Sequence, residues 1–171
     1  MKKSDSIEIA VAELTLDPVT KKPLVILKDA DNKLNLRIWI GLLEAVTMVT
    51  ELKGINMARP MTYDLLKNIL TEVGGCVESV VITELKENIY TALVYLNIAG
   101  RQTTIDSRPS DAIVLALTTK SPIYVAKAVL EVSSILQQAE KGKEPDFSNV
   151  SQEKWAEILE KMSPEDFSYK M

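Results

Sequence analysis

Apolar residues recur at two alternating rhythms along this chain of 171 residues, and the switches between them outline its elements. Ile7 to Leu16 alternates loosely with polar positions, the period-two pattern of a half-buried strand. Asp17-Pro18-Val19-Thr20-Lys21-Lys22-Pro23 is turn chemistry, and Leu24-Val25-Ile26-Leu27 is a short apolar strand. Asp29-Ala30-Asp31-Asn32-Lys33 turns the chain again, and Leu34 to Ile40 resumes the alternation, which completes a meander of three strands. The period then changes. Gly41 opens a helix with Leu43, Val46, Met48, Val49 and Leu52 at helical spacing, ended by Gly54. A second stripe, Leu65, Leu66, Ile69, Leu70 and Val73, follows Thr62, which is placed as the N-cap, and stops at Gly74-Gly75.

The same order then returns. Cys76 to Leu85 and Ile89 to Ile98 read as strands joined by a turn at Lys86-Glu87-Asn88, and Gln102 to Ile105 is a short third strand after Gly100-Arg101. Pro109 to Leu117 is helical, Pro122-Ile123-Tyr124-Val125 is extended, and Lys127 to Gln138 is helical. Glu13-Leu14 echoes Glu84-Leu85, Ile38 echoes Ile105, and Glu44-Ala45-Val46 echoes Asp111-Ala112-Ile113. The pattern therefore predicts an α+β fold. A strand-strand-strand-helix-helix unit, present twice by an ancient duplication, forms a mixed, mostly antiparallel sheet packed with helices over residues 1–139. Residues 140–171 are a linker, Lys141-Gly142-Lys143-Glu144-Pro145, and a short helical tail. The tail's amphipathic stretch, Glu153 to Met162, is expected to dock through Trp155 and Phe167 on its own body or a neighbouring subunit.

Composition narrows the chemistry. Hydrophobic residues make up 46% and charged residues 26%, ordinary for a soluble globular protein. Histidine is absent, which excludes Ser-His-Asp and Cys-His triads and histidine metal ligands. Catalysis would rest on carboxylates, hydroxyls, Lys, Arg or Tyr. The single cysteine, Cys76, excludes an internal disulfide and is expected as a small buried hydrophobe. The net charge of −4 means that any contact with nucleic acid needs a local basic patch. Lys21, Lys22, Lys28, Lys33 and Arg37 cluster on the first meander, and their plain reading is a solvated face. No apolar leader and no run of membrane-spanning length is seen, so a cytoplasmic protein without membrane contact is expected.

The densest polar string is Ile105-Asp106-Ser107-Arg108-Pro109-Ser110-Asp111-Ala112-Ile113. Its plain reading is a helix start: Pro109 in the first turn, Ser107 as N-cap, and Ser110 and Asp111 at the positive end of the dipole. That reading requires neither Arg108 nor Asp106. The alternative is an anion or metal site. There the helix amides and a forked Arg108 hold a phosphate, and Asp106 and Asp111 hold a hard divalent cation, Mg or Mn, through oxygen. No organic cofactor is implied. Arg59-Pro60-Met61-Thr62-Tyr63-Asp64 repeats the theme, with Arg, Pro, a hydroxyl and a carboxylate at a helix start, and is expected to converge on the same cleft. Glu44 occupies the position equivalent to Asp111 in the echo, beside Trp39-Ile40-Gly41, where Trp39 is read as core or interface.

These pieces together resemble the bifunctional nuclease domain proteins of bacteria and plants. The resemblance is carried by Pro23-Leu24-Val25-Ile26-Leu27, Ile38-Trp39-Ile40-Gly41 with Glu44-Ala45, Arg59-Pro60-Met61-Thr62-Tyr63-Asp64-Leu65-Leu66, Asp106-Ser107-Arg108-Pro109-Ser110-Asp111-Ala112 and Pro122-Ile123-Tyr124-Val125. It implies a compact α+β domain, a homo-oligomer of two or more subunits, and nuclease activity on DNA and RNA. The positions carried over are Glu44, Arg59, Thr62, Asp64, Asp106, Arg108, Ser110 and Asp111. One position departs: where members commonly carry histidine, this chain carries Tyr63, a poor base at neutral pH.

Two expectations follow. In the first, the protein hydrolyses phosphodiesters: Asp106, Arg108, Asp111, Arg59 and Asp64 are catalytic, Ser110, Thr62 and Tyr63 touch the nucleic acid, and Asp106, Asp111 and Glu44 hold the cation. In the second, the same Arg and Asp residues form a structural network in a non-catalytic oligomeric binding or assembly module.

Overall fold

The computed structural model describes residues 5–17, 20–86 and 89–130. The first meander consists of β1 (Ser6–Leu16), β2 (Pro23–Lys28) and β3 (Asn35–Trp39), followed by helices α1 (Leu42–Leu52) and α2 (Thr62–Glu72). The second consists of β4 (Gly75–Lys86), β5 (Ile89–Ile98) and β6 (Arg101–Ser107), followed by α3 (Pro109–Thr119) and β7 (Ile123–Ala126). A further helical turn starts at Lys127; the rest of that expected helix, the linker and the tail with Trp155 and Phe167 lie outside the described residues.

The fold is α+β, with one seven-stranded mixed sheet in the order β3-β2-β1-β7-β4-β5-β6. Each meander forms one wing, and β7 joins them, antiparallel to β1 and parallel to β4. That parallel pair follows from the crossover through α3, which carries the chain from the edge strand β6 back to the middle of the sheet. Helices α1 and α3 both span 11 residues and follow the third strand of their meander. The second unit nevertheless differs from the first, because α3 is followed by a strand where α1 is followed by α2.

The core lies between the sheet and the helices. Ala92, Val94 and Leu96 alternate along β5 on the helix-covered face and meet Ile113 and Val114 of α3, and Val25 and Leu27 of β2 join Met48 of α1 in the same cluster. Gly75, which opens β4, is crowded by Leu70 of α2 and Ile98 of β5, so α2 covers the same face. Helix α3 touches both α1 and α2, and α2 meets the sheet at β4. Among the described residues, no helix is long and apolar enough to cross a membrane.

Three local expectations are corrected. Thr62 is the first helical residue of α2, and Met61 occupies the cap position; its N–H is satisfied by Asp64 Oδ2 at 2.9 Å. Arg108 rather than Ser107 caps α3, and the Ser107 hydroxyl donates instead to the Arg108 carbonyl at 3.0 Å. Cys76 is exposed, because β4 alternates and Val77 takes the inward position. None of the residues of α2 is fully buried, and Leu65, Leu66, Ile69 and Val73 of its apolar stripe are exposed. Trp39 is exposed as well, at the end of the edge strand β3.

Candidate functional site

Three helix starts converge at one end of the helical layer. Glu44 lies in the first turn of α1, Tyr63 in the first turn of α2 and Asp111 in the first turn of α3. Arg108 stands at the cap of α3 in extended conformation, as Pro109 requires of the residue before it. Its side chain therefore turns back over the helix start and reaches both carboxylates.

The guanidinium grips Asp111 with two bonds, Nε to Oδ2 at 2.6 Å and Nη2 to Oδ1 at 2.8 Å. The same Nη2 donates to Glu44 Oε1 at 3.0 Å and so crosses from α3 to α1. The Tyr63 hydroxyl donates to Asp111 Oδ1 at 2.6 Å and ties in α2. Arg108 faces solvent with its side chain 53% exposed, while Glu44 and Asp111 are withdrawn to 15% and 29%. The cation is thus the accessible member of the cluster, and the carboxylates stand behind it.

The electrostatics follow from that arrangement. Burial works to raise the Asp111 pKa, but the hydrogen bonds from Arg108 and Tyr63 and the Arg108 charge outweigh it and hold the carboxyl below its usual range. Burial, then the bond to Asp111 and the nearby negative charge of Glu44, push the Tyr63 phenol well above its ordinary value. Tyr63 is therefore a proton donor at neutral pH and not a base. Two carboxylates against one guanidinium leave the cluster with one excess negative charge.

The other expected residues lie apart. Asp106 is exposed on β6 opposite Leu93, on the sheet face away from the helices, because Ile105 and Ser107 take the helix-side positions. Asp64 is committed to the start of α2 through Met61 N–H. Arg59 sits on an exposed bend before α2, and Thr62 is exposed at its first turn. Ser110 is buried in the first turn of α3. Among the described residues, no three Asp, Glu or Cys side chains are grouped to hold a metal ion. Sequence reasoning had named Glu44 and Tyr63, but not the bonds that join them to Arg108 and Asp111.

The family model for the bifunctional nuclease domain matches residues 25–138, which includes every member of this cluster. The chain belongs to that family. It is 32% identical over 163 residues to an uncharacterized protein of Mycobacterium tuberculosis (strain ATCC 25618 / H37Rv), covering 94% of this chain and 97% of that protein. It is 31% identical over 125 residues to bifunctional nuclease 1 of Arabidopsis thaliana, covering 71% of this chain and 38% of the plant protein. Bifunctional nuclease 2 of Oryza sativa subsp. japonica is 30% identical over 112 residues, covering 63% of this chain and 34% of that protein. The plant proteins are thus much longer, and the match occupies about a third of each.

Proposed function

We propose that the chain is a nuclease that hydrolyses phosphodiester bonds of DNA and RNA at the junction of α1, α2 and α3. The observation that carries this reading is the position of Arg108. It is a half-exposed guanidinium at the start of a helix, held in place by two withdrawn carboxylates, inside the stretch that matches a nuclease domain. The exposed guanidinium brings positive charge to the start of α3, and the first amides of that helix add positive potential beside it. Tyr63, kept protonated, donates its one O–H to Asp111 and so holds the carboxylate that grips Arg108. Glu44 and Asp111 hold the guanidinium in place.

A divalent cation, Mg or Mn, finds only two carboxylates in this cluster, and both already hold Arg108. That donor set does not fit a cation while Arg108 is in place, so no step is routed through one. Addition of chelator and of each metal tests the matter directly.

The cluster's excess negative charge favours a second reading, in which Arg108 locks three helix starts together in a binding or assembly module without chemistry. One experiment separates the two. Rigorously purified protein is incubated with labelled single- and double-stranded DNA and RNA, beside Arg108→Ala and Asp111→Asn prepared identically. The nuclease reading expects cleavage by the parent, with a loss on the order of 10²-fold or more in Arg108→Ala. Equal cleavage by all three preparations would remove the cluster from the chemistry, and no cleavage by any would favour assembly.

A further inference from the structure

The basic residues of the first meander divide between the two ends of β2. Lys28 ends that strand, and Lys33 lies in the turn that follows, where its ammonium is bonded to Asp31 Oδ2 at 2.9 Å. Lys21 and Lys22 lie in the turn that enters β2, and both are exposed. Among the described residues, neither is in an ion pair. The turn itself is braced. Asp17 Oδ1 accepts from the Thr20 N–H at 2.7 Å and from the Thr20 hydroxyl at 2.9 Å, and the Asp17 N–H donates to the Lys22 carbonyl at 2.9 Å.

Strand pairing sets an indole beside this turn. The Pro23 carbonyl accepts from the Ile40 N–H at 3.0 Å, and Leu24 pairs with Trp39, so Trp39 ends the edge strand β3 next to Lys21-Lys22. Ile38 takes the position on the helix-covered side, and alternation puts Trp39 on the opposite face, 53% exposed. Tryptophan is on average highly buried, so an indole left this open is informative. Beside two ammonium groups it supplies both parts of a single-strand site: a flat face for bases and positive charge for the backbone. The corner is continuous with the Arg108 cluster. Trp39 and Glu44 are five positions apart, so their Cα atoms lie at most about 18 Å from each other. Glu44 in turn holds Arg108 at 3.0 Å.

We infer that Trp39, Lys21 and Lys22 form a binding corner for single-stranded nucleic acid, in which a base stacks on the indole and the flanking phosphates meet the two lysines. The inference rests on the nuclease reading for the course of the strand, which runs from this corner across the start of α1 to Arg108. A stacking side chain needs a free base face. Within a duplex each base is already stacked on its neighbours and must be extruded before a side chain can take it. Single strands, loops and frayed ends are therefore the substrate class that this corner selects. The net charge of −4 gives the chain no general attraction for a polyanion, and the two lysines supply the local positive charge that contact requires. Stacking tolerates every base, so the corner accepts DNA and RNA without sequence preference.

The test uses the full chain with Trp155→Phe, which leaves Trp39 as its one tryptophan. Titration with an oligothymidylate of about 16 nucleotides, shown intact on a gel afterwards, is expected to quench the Trp39 fluorescence. The matching duplex should bind at least about tenfold more weakly. By anisotropy of an end-labelled oligonucleotide, Trp39→Ala should weaken single-strand binding about 5- to 150-fold, and Trp39→Phe, which keeps a ring, by less. Lys21→Ala with Lys22→Ala should flatten the slope of log K against log salt by about 1.4, the counterions of two phosphates. Circular dichroism checks that each variant is folded. Single-strand binding that survives Trp39→Ala and the lysine pair but is lost in Arg108→Ala would overturn the corner and leave the nuclease reading standing. Equal affinity for duplex and single strand would overturn the substrate class. Quenching and the expected losses without cleavage by the parent would uphold the corner and overturn the nuclease reading. A parent that binds no oligonucleotide would overturn both.

Discussion

The Tyr63 hydroxyl donates to Asp111 Oδ1 at 2.6 Å across 48 positions of sequence, and this bond joins α2 to the helix pair α1–α3 at their common end. It brings Tyr63 into direct contact with the carboxylate that anchors Arg108. Tyr63→Phe keeps the ring and removes the bond. A hydrogen bond to a charged partner that is partly shielded from water contributes about 1–2 kcal/mol. Denaturant unfolding should show a loss of that size, and the Asp111 carboxyl, followed by NMR, should titrate nearer its ordinary value. A Phe variant as stable as the parent would show that the phenol is only packed there.

The pH dependence of stability carries opposite signs for the two partners. The Asp111 carboxyl is held below its unfolded value, so its contribution is present above about pH 4 and is lost as pH falls through the folded value. The Tyr63 phenol is raised above its unfolded value, so its contribution is complete below about pH 10 and is lost as pH rises beyond it. Tyr90, raised by burial alone, acts in the same direction as Tyr63. Melting temperature against pH should be flat in the neutral range from these groups and fall at both ends. Tyr63→Phe should weaken the alkaline fall without abolishing it, and Asp111→Asn should weaken the acid one. An alkaline limb identical in parent and Tyr63→Phe would contradict the assignment.

Gly75 offers a test of the packing that sets α2 on the sheet. A Cβ there would lie 2.6 Å from Leu70 Cδ1, 3.1 Å from the Leu70 carbonyl oxygen and 3.2 Å from Ile98 Cγ1. Gly75→Ala should therefore destabilise by about 1–3 kcal/mol through overpacking. Adding Leu70→Ala removes one clash but leaves the backbone oxygen, so the double variant should recover only part of its own additive loss. Strict additivity in denaturant unfolding would mean that α2 does not press on β4 at this point.

Much of this was legible in the residues, for identifiable reasons. The meanders, α1, α2 and α3 followed from period and turn chemistry, since Pro109 and the Gly74-Gly75 pair mark boundaries that few alternatives satisfy. Glu44 was found through its echo of Asp111, and the two do meet on one guanidinium. Burial was less legible. A stripe at helical spacing states that a face is apolar, not what covers it, and Leu65, Leu66 and Ile69 are exposed in this chain. Asp106 was grouped with Asp111 because they are close in sequence. The alternation of β6 turns Asp106 to the far face of the sheet, whereas Asp111 lies in the first turn of α3. That division could have been read from the strand's own period of two.

Asp106 therefore gives the sharpest test of where the site ends. It is exposed, its backbone pairs with Leu93, and its side chain lies on the face opposite the Arg108 cluster. If cleavage depends on the junction of the three helices, Asp106→Asn should retain activity within about twofold, while Asp111→Asn should lose on the order of 10² or more. Stability separates the two as well. Asp106→Asn, a change on the exposed surface, should shift unfolding by less than about 0.5 kcal/mol. Asp111→Asn weakens the acceptor of three hydrogen bonds and should cost about 1–3 kcal/mol. Equal loss of cleavage in both variants, with Asp106→Asn fully folded, would move the chemistry toward the β6 edge and away from Arg108.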